Sequence, residues 1–260
     1  MGNSNSIEYL LKRDRIIIIS GLILISLIAW LYIIYLYRQM FYMNMDALFF
    51  AMPMTPVWTI TDFILLFLMW FVMMIAMMTP SVAPLILIFA LVNRRRKEQQ
   101  NPFVSTGYLL GGYFFIWAAF SLLATSLQWL LQHISLLSPE MRITSRILGG
   151  SVLIAAGIFQ FTSLKKTCLS YCQTPVDFIH RNWKEGKTGA MRMGIENGIY
   201  CVGCCWILMV LLFVAGIMNL FWVALIALFV LIEKVSAQTR WVSPVAGAAL
   251  IMYGMTIMLR

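Results

Sequence analysis

Apolar residues run along this chain in long blocks, and polar residues gather in short stretches between them. The blocks predict helices at Ile16–Tyr37, Phe63–Val92, Phe103–Leu131, Ile147–Leu164, Ile199–Ile217, Leu220–Ile232 and Val242–Leu259. A helix that crosses a bilayer needs about 20 apolar residues. The first, third, fifth and seventh blocks meet this comfortably. The sixth is short and follows the fifth after Met218-Asn219, which predicts a tight helical hairpin. The second is too long for one straight helix, and Pro80 and Pro84 are expected to kink or break it. The pattern reads as an all-α, polytopic transmembrane helix bundle of about seven spans, forming a single domain over residues 1–260.

Composition sharpens this picture. The chain is 62% hydrophobic and 11% charged, against about 25% charged in a soluble domain. Backbone facing lipid has to satisfy its own hydrogen bonds, and helices do so. The first block is long enough to span, and no small-residue cleavage site follows it, so it is not read as a cleavable signal. Met1-Gly2-Asn3-Ser4-Asn5-Ser6 fits a myristoylation pattern, which has meaning only in a eukaryote.

Charge gives the orientation. With the N-terminus inside, the inner segments hold Lys12, Arg13 and Arg15, the run Arg94–Lys97, the group from Lys165 to Arg192, and Lys234 and Arg240. The outer segments hold only Arg38, Arg142, Arg146 and Arg260. By the positive-inside rule the N-terminus is inside and the C-terminus outside. The membrane is then the inner, cytoplasmic one, crossed several times. The net charge of +9 needs no nucleic acid, because anionic headgroups at the inner face account for it. Two loops stand out. The outer loop 38–62 carries Met40, Met43, Met45, Met52 and Met54, and reads as an interfacial segment or as a catcher of Cu(I). The basic inner loop 165–197 mixes Val176, Phe178, Ile179 and Trp183 with cations, which suggests a short helix on the inner surface. Small residues mark expected helix contacts at Gly107 with Gly111, Gly194 with Gly198, and the group Gly149, Gly150 and Gly157.

Candidate chemistry rests on sulfur. Cys201-Val-Gly-Cys204-Cys205 places three thiols in five residues, and Cys168 and Cys172 end the preceding helix. Spacings of three and four put each group on one helix face, and both groups fall at the same depth, near the inner surface. Thiolates and thioethers select soft metals such as Cu(I). A Cys-x-x-Cys pair with a second pair nearby also suits zinc. Redox chemistry is a second reading of the pair, and inert packing of small hydrophobes a third. Met69, Met73 and Met77, with Met74 and Met78, recur at helical spacing, and Met77 and Met78 sit just before Pro80 on the cysteine side. Gln128 and Gln160 are rare polar groups inside the blocks. Glu233 closes the sixth and reads as a neutralised pair or a solvated end. His133 and His180 are isolated. No catalytic triad, phosphate loop, paired-carboxylate site or haem attachment motif is present in the sequence.

Three stretches together resemble a bacterial family of predicted metal-binding integral membrane proteins. They are Trp70–Pro80 around Ala76-Met77-Met78-Thr79-Pro80, Gly157–Pro175 with Gln160, Cys168 and Cys172, and Gly198–Val235 with Cys204-Cys205-Trp206-Ile207-Leu208-Met209 leading to Glu233-Lys234. The resemblance implies a metal-binding role for Met77, Met78, Gln160, Cys168, Cys172, Cys204, Cys205 and Met209. It supplies no reaction. Three functions remain open: handling or insertion of a soft metal, most readily copper; a non-catalytic accessory subunit of a larger membrane metalloenzyme complex; and a membrane thiol oxidoreductase. If a metal site exists, the sulfurs of Cys168, Cys172, Cys204 and Cys205 are expected to converge beside Met77 or Met78.

Overall fold

The computed structural model describes residues 3–41, 59–98, 104–138, 141–235 and 241–259. These fold as helices: α1 (Asn3–Phe41), α2 (Ile60–Glu98), α3 (Thr106–His133), α4 (Arg146–Phe159), α5 (Ser163–Gln173), α6 (Pro175–Asn182), α7 (Gly186–Ala215), α8 (Leu220–Val235) and α9 (Val242–Leu259). Among them there is no strand, only an isolated bridge between Leu137 and Ile143. Most of the methionine-rich loop 38–62 lies outside the described residues.

Among the described residues, five helices have the length and apolar character to cross a membrane: Arg15–Gln39, Ile60–Arg96, Thr106–His133, Gly186–Ala215 and Val242–Leu259. α4 and α5 meet at a 63° bend and together make a sixth candidate. Each of the seven predicted blocks contains helix, the fourth being interrupted at the bend, and α8 is only 16 residues long and does not reach span length. The outward side chains of the long helices are apolar, among them Leu24, Leu31, Leu123 and Met252.

Two expectations are refined here. α2 runs unbroken through Pro80 and Pro84, so the prolines do not break it. Pro80 has no N–H to give the Ala76 carbonyl, and Ser26 Oγ of α1 donates to that oxygen instead, at 3.4 Å. Thr79 Oγ1 and Ser81 Oγ bond back to the Ile75 and Met78 carbonyls at 2.6 and 2.8 Å. Hydroxyls thus take over part of the hydrogen bonding around the prolines, which is how apolar helices tolerate them. The inner loop 165–197 is also not a loop. It contains most of α5, all of α6 and the first turns of α7, with Phe178 and Ile179 of α6 buried. Polar cap residues start the helices: Ser145 accepts from Leu148 N at the head of α4, and Thr162 from Lys165 N at the head of α5.

Close backbone approach organises the bundle. α3 and α7 touch where Gly112 faces the Met191 carbonyl and Gly194 faces the Leu109 carbonyl, so a methyl group at either glycine would collide with main chain. α4 and α9 meet similarly, with Gly157 against Gly247 and Gly150 against Gly254. Of the expected contact glycines, Gly150, Gly157, Gly194 and Gly198 serve this purpose. Gly111 has open space beside it, and its neighbour Gly112 makes the contact instead. The methionine stripe of α2 points inward, with Met69, Met73, Met74, Met77 and Met78 all buried.

Candidate metal centre

α5 and α7 pack side by side, with Tyr171 stacked on Tyr200 at 4.2 Å between ring centroids. That packing makes Cys172 of α5 a neighbour of Cys204 of α7. Cys201, Cys204 and Cys205 lie within one turn of α7, so four thiols from two helices gather in one region. Cys204 and Cys205 also turn their Sγ atoms to the Cys201 carbonyl, at 3.1 and 2.9 Å. All five cysteines are free thiols.

Cys201 makes the contacts to other helices. Its Sγ lies 3.0 Å from the Tyr113 hydroxyl of α3 and accepts from Lys234 Nζ of α8 at 2.8 Å. Lys234 Nζ also donates to Ser81 Oγ at 3.3 Å and sits 3.9 Å from Met78 Sδ. Ser81, Tyr113, Cys172, Asn197, Cys201 and Lys234 line a small cavity of about 10 Å³ beside Pro84. That is the size of one water or one bare ion.

Beside this group is a second buried polar cluster. Lys165 Nζ donates to both carboxylate oxygens of Glu233, at 2.7 and 2.9 Å, and to Gln160 Oε1. Ser243 Oγ donates to Glu233 Oε1 at 2.5 Å, and Gln173 Nε2 to the Glu233 carbonyl at 2.6 Å. Glu233 is thus a neutralised pair, and Lys165 lies in the interior instead of among solvated inner-face charges. Consecutive helical residues point about 100° apart, so α8 presents Glu233 to one cluster and Lys234 to the other.

A sequence model of the PpoB2 copper chaperone family matches residues 67–257. The chain belongs to that family. No curated protein and no solved structure matches it. The PpoB2 match takes in both buried clusters and leaves α1 and the methionine-rich loop outside.

The candidate residues divide as follows. Cys172, Cys201, Cys204 and Cys205 come together, with Met78 at their edge. Cys168 neighbours Cys204 from the far side of Gly203: its Sγ would lie 2.9 Å from a Cβ added at Gly203, and it does not line the cavity. Gln160 belongs to the Lys165–Glu233 cluster, and its Nε2 is buried without a partner. Met77 and Met209 are buried in the apolar core. Among the described residues, no three His, Cys, Asp or Glu side chains gather their donor atoms on one point as a metal would require. The thiols instead point at the Cys201 carbonyl and at Lys234. Sequence reasoning missed Lys234, Tyr113 and Ser81 as members of the site. The only signal was a lysine directly after a glutamate at the end of an apolar block.

Proposed function

We propose that this chain is an integral membrane copper chaperone that carries Cu(I) on Cys172, Cys201 and Cys204, with Cys205 and Met78 beside them. The observation that carries the reading is a small cavity lined by Cys172 and Cys201, with Cys204 and Cys205 one turn along α7 from Cys201 and the Met78 thioether 3.9 Å from the Lys234 amine that borders the cavity. Soft sulfur donors favour Cu(I), and the family name points to copper while giving no support to zinc. The five apolar helices, or six with the bent pair, suit a multi-pass protein of the inner membrane. With the N-terminus inside, the thiols open toward the reducing cytoplasmic face, where they stay available. Copper is cargo here, received at the inner face and passed to a metalloenzyme partner in or on the membrane.

The test is metal binding by detergent-purified protein under reducing conditions, read by competition with a chromophoric Cu(I) chelator. The expected result is one tightly held copper per chain, lost in Cys201→Ser and Cys204→Ser, weakened in Cys172→Ser and kept in Cys168→Ser. Absence of stoichiometric copper from the unmodified protein would overturn the proposal. Reversible formation of a disulfide among these thiols at physiological potentials, with no copper bound, would favour the oxidoreductase reading instead.

A further inference from the structure

Lys234 is 5% exposed, and its amine lies among soft donors. It reaches Cys201 Sγ at 2.8 Å and lies 3.9 Å from Met78 Sδ, two of the groups assigned above to copper. A buried ammonium is costly unless it is paired, and here its partners are a thiol sulfur, a phenol oxygen's neighbourhood and the Ser81 hydroxyl. The cavity has room for one small ion and is already bordered by this cation. A second positive charge beside it would be repelled strongly in a low-dielectric interior.

We propose that Lys234 is a built-in stand-in for the cuprous ion, filling the thiol–thioether pocket when cargo is absent and leaving it when copper binds. The inference rests on the copper reading and adds what sets the affinity of that site. The exchange balances. The Nζ–H···S hydrogen bond to Cys201 breaks and a Cu–S bond forms. One +1 cation replaces another, each thiol that joins as thiolate, Cys201 included where it carries a proton, gives one proton to solvent, and no electron moves. Lys234 ends α8 one residue before its last position, so its long flexible stem can carry the amine toward the aqueous boundary. The same exchange explains why the thiols are not gathered on a common point in this structure: the amine occupies the place they would face.

A site open only in the fraction of molecules whose lysine has withdrawn binds with an affinity reduced by that fraction. Two measurements on full-length protein in detergent test this. The first is Cu(I) competition titration of the unmodified protein, Lys234→Leu and Lys234→Arg. Lys234→Leu, which removes the amine without adding a ligand, is expected to bind copper at least tenfold more tightly, and Lys234→Arg no more tightly than the unmodified chain. The second is amine footprinting by mass spectrometry of the unmodified protein alone, which does not depend on any variant folding. Lys234 is expected to be protected without copper and labelled with it. If the unmodified protein binds copper but Lys234 labelling does not rise, or Lys234→Leu binds no more tightly, the stand-in role is wrong while the copper reading survives. If the unmodified protein binds no copper at all, both fail.

Discussion

The buried ion pair between α5 and α8 yields a quantitative expectation. Lys165 and Glu233 side chains are 1% and 3% exposed. Replacing Lys165 with Met keeps the stem's volume and removes the charge. It leaves the Glu233 carboxylate buried with Ser243 Oγ as its remaining side-chain donor. Removing one member of a buried pair costs about 3–5 kcal/mol. The surviving serine bond places the expectation near the lower end, about 3 kcal/mol. Adding Glu233→Gln then removes the stranded charge while keeping the side chain's shape. The double variant should recover about 1–3 kcal/mol relative to the sum of the two single losses, the range seen for groups in direct contact. Equilibrium unfolding in mixed detergent micelles, followed by tryptophan fluorescence, measures all four proteins. A loss below about 1 kcal/mol for Lys165→Met, or strictly additive losses, would refute the view that this pair holds α8 against α5.

Other expectations follow from named contacts. Gly112→Val puts a branched side chain against the Met191 carbonyl and should separate α3 from α7, seen as loss of monodisperse protein on size-exclusion chromatography. Trp70→Phe removes the 2.7 Å bond to Gln128 Oε1 and should cost about 1–3 kcal/mol in the same unfolding assay. Gly203→Ala pushes only on the movable Cys168 thiol, so copper stoichiometry should be unchanged, and a loss of copper would mean that Cys168 belongs to the site.

The helices were legible because long apolar blocks leave few alternatives. The block Val242–Leu259 coincides with α9, and Leu220 opens both the sixth predicted block and α8. The meeting of Cys172 with Cys204 was also readable, since helical spacing and shared depth are local properties of the sequence. What could not be read were the partners that come from distant helices. Lys165 and Lys234 look like ordinary flanking cations, and only packing of α5, α7 and α8 shows that both are interior. Helix was expected at Cys168–Cys172 and around Phe178, but its packing into the interior was not, because the polar surfaces of α5 and α6 hide the burial of Cys168, Phe178 and Ile179 from a hydropathy average. Gln160 was singled out as a polar group in an apolar block, correctly marking a buried polar position whose role depends on Lys165 beyond the bend.

The two consecutive charges at the end of α8 have a mechanical consequence. Glu233 is tied to α5 and α9 through Lys165 and Ser243, while Lys234 is tied to α7 and α2 through Cys201 and Ser81. A helix gripped from two azimuths cannot roll about its long axis without breaking one grip to relieve the other. This short helix of 16 residues is therefore clocked by its own last turn. Any motion that frees the lysine has to run through the side chain's torsions, with the backbone standing still.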